Sequence, residues 1–194
     1  MHDKAGRRGS VAVETALTLT LLFTVGFLAG DMHRIGIERS RLEATASSVA
    51  LNITAQSGLT QAGLDSLTDI AMQGHTDEQQ IIMLNVLQSG RINWQLERGG
   101  ASDLCEAEAE DGYYTGDLPI DPSDMKEAAS SEEDSSEFSL IVVKACRSTE
   151  SIKSYGGIGM PQVLQVRSIY RANAQEISLD DALEEENQIT DDSE

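Results

Sequence analysis

Positive charge is scarce in this chain. Fourteen Lys and Arg stand against 33 Asp and Glu, a formal net charge of −19 at neutral pH over 194 residues. A surface of that sign repels phosphate, which argues against nucleic acid as a partner. Histidine is scarcer still: His2, His33 and His75 stand alone in the sequence. No Ser-His-Asp arrangement, no metal-binding His/Cys spacing and no phosphate loop is present. Gly156-Gly157-Ile158-Gly159 is Gly-rich, but no basic residue and helix come after it. It reads as a flexible connection rather than a phosphate cradle. Neither catalysis nor a cofactor nor a resident metal is therefore expected.

What charge there is falls unevenly. Residues 1–9 carry Lys4, Arg7 and Arg8 against Asp3, a net of +2, which leaves −21 on the remainder. Directly after this basic patch, residues 11–30 form a run of 20 residues interrupted by one charge, Glu14. As a helix the run reaches roughly 30 Å, the hydrocarbon thickness of a bilayer. The basic flank predicts an N-terminus in the cytoplasm and export of the chain beyond residue 30. The competing reading is a secretory signal peptide, cleaved after its apolar region. Against it, the run is long, and Phe27-Leu28-Ala29-Gly30 makes a poor cleavage site.

Glu14 is costly within an apolar membrane helix and therefore a candidate for a role. Two readings compete. In one, its carboxylate neutralises the amine of a packed neighbour, so that two buried charges become tolerable together. In the other, it sits near enough to the helix start to reach the headgroups.

The stretch Arg8-Gly9-Ser10-Val11-Ala12-Val13-Glu14-Thr15-Ala16-Leu17 resembles the signal of type IV pilins, and most closely the TadE/TadF-like minor pseudopilins of the Tad (tight adherence, Flp-type) system. Ile92-Asn93-Trp94-Gln95, after a turn at Ser89-Gly90, is similar to a strand found in some relatives. The resemblance implies that a prepilin peptidase cuts between Gly9 and Ser10. The apolar helix would then be retained, and Glu14, fifth after the cut, would pair with the free amine of a neighbouring pilin-like subunit. Partners would be the membrane, the peptidase and the Tad assembly proteins, in a bacterial inner membrane. Thr15 stands where the major Flp pilins carry Tyr, and the exported part is large. Both departures imply a minor subunit rather than the main filament protein. The alternative is a membrane-anchored exported binding protein with an acidic surface that could hold calcium, unprocessed and outside any pilus.

Beyond residue 30 the helix is expected to continue to about residue 57, for a helix of about 70 Å from residue 10. No Pro interrupts residues 31–57, and Ile35, Leu42, Ala46, Val49 and Ile53 form one stripe. The stripe would pack on the protein's own sheet or on a partner helix. A second helix is expected from a Thr60 cap to Gly74. Strands are expected at residues 81–87, 91–96, 138–145 and 163–172. The fold class is α+β: a long N-terminal helix and a small antiparallel-sheet domain at residues 58–175, pilin-like in outline.

Residues 103–137 are acidic, with Lys126 the one basic side chain, and residues 130–137 have no apolar residue. They read as a solvated loop. Calcium at Asp117, Asp121 and Asp124 is the sharper reading, but their spacing is not that of an EF-hand. Residues 176–194 lack Lys and Arg and read as a frayed acidic tail. Cys105 and Cys146 are the chain's two cysteines, an even pair that predicts a disulfide in an oxidising compartment. The alternative is two free thiols.

Overall fold

A computed structural model describes residues 4–106, 108–120, 125, 138–156, 161–174 and 176–187, with the backbone alone for residues 4–10. The acidic run 130–137, Asp121, Asp124 and residues 188–194 lie outside the described residues. The chain forms two compact units, Met1–Glu38 with Thr149–Gln162 and Arg39–Ser148 with Val163–Glu194.

Helix α1 (Lys4–Thr54) is continuous and starts six residues before the expected Ser10. It ends three residues short of the expected Ser57, ahead of strand β1 (Gly58–Leu59). Within the first unit its side chains from Val11 to Gly30 are exposed apart from a half-buried Leu28. Within the second unit the expected stripe is buried: Leu42, Ala46, Val49 and Ile53 are each at most 2 % exposed, and Ala50, outside the expected stripe, is buried with them. Burying Leu42, Val49 and Ile53 contributes roughly 1.5–3 kcal/mol each. Ile35, the first member of the predicted stripe, is only half-buried.

Thr60 caps helix α2 (Gln61–Met72), accepting from the Gly63 amide at 3.3 Å. A single 3-10 turn (Thr76–Glu78) leads into strand β2 (Gln79–Leu87). A hairpin with Gly90 at φ +85° returns as β3 (Ile92–Arg98). Two short strands, β4 (Ala109–Glu110) and β5 (Tyr113–Tyr114), pair with each other. Strands β6 (Ser139–Ser148) and β7 (Val163–Arg171) complete an antiparallel sheet of order β3-β2-β6-β7. The four principal strands expected from the sequence are thus present, within two or three residues at each end.

The sheet is covered on both faces. Ile81, Met83, Leu96, Ile141, Val143 and Ala145 are buried on one. There the Ser47 and Ser168 hydroxyls meet at 3.0 Å, which ties α1 to β7. On the other face Ile82, Leu84, Val86, Ile92 and Val142 form a cluster with Tyr114, against which Cys105, Ala109 and Leu118 pack. The first part of the acidic stretch is therefore a cover over the sheet and not a solvated loop. Its apolar members, spaced among acids, carry the packing.

The acidic tail likewise differs from expectation as far as Asn187. Strand β8 (Ser178–Leu179) pairs in parallel with β1, and helix α3 (Asp181–Glu186) comes next. Ile177 and Leu183 are buried, and the Trp94 indole donates to the Ile177 carbonyl at 3.1 Å. Asp180 accepts from the Leu183 amide with one oxygen and from the Gln61 amide with the other, so it caps two helices. Arg98 binds both Asp65 and Glu186. The acids here are caps and ion-pair partners, which is why a tail without Lys or Arg still folds.

Gly99 sits at φ +121°, and a β-carbon there would lie 2.1 Å from the Gln79 carbonyl oxygen. Only glycine fits the end of β3 against the start of β2. Gly99→Ala is expected to cost about 1–3 kcal/mol from backbone strain, with the clash in addition. A shift of the urea midpoint at unchanged slope measures it; an unchanged midpoint contradicts it.

Candidate functional site

The apolar part of α1 is the most unusual surface of the molecule. Val11, Val13, Leu17, Leu21, Phe23 and Phe27 are each more than half exposed, on all sides of the helix. A helix that is apolar all round is normally buried, in a large core or in a bilayer. Within its own unit this one is not buried. It is also long and apolar enough to cross a membrane.

The polar groups in the segment are arranged accordingly. Thr15, Thr18, Thr20 and Thr24 each return their hydroxyl to the carbonyl four residues back, at 2.7–2.9 Å. Such bonds satisfy hydroxyls that a hydrocarbon environment leaves without other partners. Glu14 lies one turn in, exposed, the sole ionisable side chain from Val11 to Gly30. Gly9 and Ser10 are in the same helix, in its first turns.

Asp31 closes the segment. It is 3 % exposed although it lies on a helix whose neighbours Met32 and His33 are exposed. Its carboxylate accepts from the Tyr155 amide at 3.0 Å, the Ser154 hydroxyl at 2.7 Å and the Gly156 amide at 2.5 Å. The Tyr155 amide first, then the Ser154 hydroxyl and the Gly156 amide, hold this carboxyl below its ordinary value. Arg34 lies over the Tyr155 ring at 4.9 Å and donates to the Lys153 carbonyl at 3.4 Å. Gly156 approaches so closely that an added β-carbon would lie 3.1 Å from Leu28. The β6–β7 connection is thus fastened to α1 at the end of its apolar part. From sequence alone Asp31 is simply the first residue of a helix extension. An acid directly after an apolar run is its one visible signal.

In the second unit, Cys105 and Cys146 form a disulfide, with α-carbons 5.5 Å apart. Gln80 reinforces the bond, its side-chain oxygen accepting from the Leu104 and Cys105 amides at 2.8 and 2.7 Å. Lys144, on the same face of β6 as Cys146, is 5 % exposed. It donates to the Glu106 carbonyl at 2.8 Å and to Glu108 at 3.0 Å. Glu108 also accepts from the Tyr114 hydroxyl at 2.7 Å and pairs with Arg167 at 3.5 Å. Burial pushes the Glu108 carboxyl up, but Tyr114, Lys144 and Arg167 together hold it below its ordinary value. Burial, and then the Glu108 carboxylate, push the Tyr114 phenol up. The group fastens the 104–118 cover to the sheet. A lysine inside an otherwise apolar strand is the sequence signal for it, though not for its partner.

Among the described residues, no group of three or more His, Cys, Asp or Glu is placed to hold a metal ion. No protein-family model, curated protein or solved structure matches this chain.

Proposed function

We propose that this chain is a minor, pilin-like subunit of a Tad-type (Flp-type) pilus system. Residues 11–30 span the bacterial inner membrane, residues 1–9 lie in the cytoplasm, and the α+β unit lies outside. The observation that carries the reading is Glu14, one turn into a helical segment exposed and apolar on every side and preceded by Arg7-Arg8-Gly9. An acid at such a place is expensive unless it is used. Cleavage between Gly9 and Ser10 by a prepilin peptidase would free an amine at the membrane edge. Glu14 of a neighbouring subunit, about 6 Å deeper along its own helix, would neutralise it. The protein then acts as an assembly component and not as an enzyme.

The N-terminal residue of the mature protein tests this. Ser10 is the expected result; Met1 or a residue near Ala29 defeats it, and Met1 favours an unprocessed, membrane-anchored binding protein instead. Glu14→Ala is expected to insert and be cut normally yet be lost from pilus assembly, as read by co-purification with the other subunits. Normal assembly of that variant counts against the pairing role.

A further inference from the structure

The loop fastened to α1 by Asp31 lies at a defined height. If Gly30 ends the hydrocarbon-spanning part, Arg34 stands about 6 Å above it. The headgroup layer on each side of a bilayer is about 5–8 Å deep. Tyr155, whose ring is 4.9 Å from the Arg34 guanidinium carbon, shares that height and is 63 % exposed. Lys153 is exposed beside it, and Met32, at 68 % exposure, lies on the same helical turn. An aromatic ring with a polar tip, flanked by two cations, is the composition that settles at a membrane–water interface.

We propose that residues 152–156, with Arg34, form a lipid-contacting platform. Tyr155 rests in the headgroup layer while Arg34 and Lys153 face lipid phosphates, and Asp31 is the positioning residue. The contact would set the depth of the helix in the bilayer. This inference rests on the reading that residues 11–30 span a membrane.

The full chain, reconstituted in phosphatidylcholine–phosphatidylglycerol vesicles, provides the test. Tyr155→Trp and, separately, Phe23→Trp add a second fluorophore to the buried Trp94, whose emission in the unsubstituted chain is subtracted. Lipids carry a nitroxide either on the headgroup or at mid-chain. Tyr155→Trp is expected to be quenched at least about twofold more by the headgroup label, and Phe23→Trp by the mid-chain label. Adding Asp31→Ala to Tyr155→Trp is expected to cut the headgroup quenching by at least about half, because the loop is released. If Phe23→Trp is quenched and Tyr155→Trp is not, the platform is overturned and the span stands. If neither is quenched, both fail. Undiminished quenching in the Asp31→Ala background overturns the positioning role.

Discussion

Replacing Cys105 and Cys146 together by Ser is expected to remove about 4 kcal/mol of stability from the sheet unit. The bond closes a loop of 41 residues, and its loss returns that loop's freedom to the unfolded chain. The folded form should persist, because Gln80 still holds Leu104 and residue 105, and Lys144 still holds Glu106 and Glu108. The far-ultraviolet circular dichroism of the full chain at 25 °C should therefore match the parent, while the thermal midpoint falls by roughly 10–20 °C. Reducing the parent protein should produce the same fall. An unchanged midpoint shows that the polar clamps alone hold the cover. Equal masses for reduced and non-reduced alkylated samples would show that the bond does not form. A bond at this place also fits export, since cytoplasmic thiols are kept reduced.

How far the fold is legible in the sequence varies by element, for reasons that can be named. The long helix is the easiest to read: 20 consecutive residues with a single charge, then a stripe of period 3.6, admit few alternatives. The sheet is legible from β-branched runs such as Ile141-Val142-Val143 between turn residues. Hidden are the polar residues whose value lies in distant partners. Asp31 binds residues more than 120 positions away, and Lys144 binds Glu108 across 36. Local composition reports none of this. Acidity at 103–118 and 176–187 suggests solvation, yet Asp180 and Glu108 are bound carboxylates, and Ile177, Leu183, Tyr114 and Leu118 supply the packing between them. A few apolar side chains at the right intervals outweigh the average composition of each segment. The proposed assembly role rests on Glu14 and Gly9, an acid in an apolar run and a basic-Gly boundary, which are signals carried by the sequence itself.

The Lys144–Glu108 pair carries the second large effect. Glu108→Gln keeps the side chain's size but leaves a lysine 5 % exposed without its carboxylate. Breaking a buried pair costs roughly 3–5 kcal/mol; because Glu108 is itself a quarter exposed, about 3 kcal/mol is expected. Adding Lys144→Met should recover most of that loss, since it removes the stranded buried charge. The pH dependence has a fixed sign. Glu108 is held below its ordinary value in the folded state, so its contribution is present above the unfolded carboxylate value of about 4.3 and is lost as pH falls through the folded one. The stability gap between parent and Glu108→Gln should thus be constant from about pH 5 to 8 and narrow below about pH 4. Chemical denaturation of the three proteins at several pH values measures all of this. A gap that does not narrow in acid, or a double variant no more stable than Glu108→Gln, means that the charge pair is not what fastens the 104–118 cover.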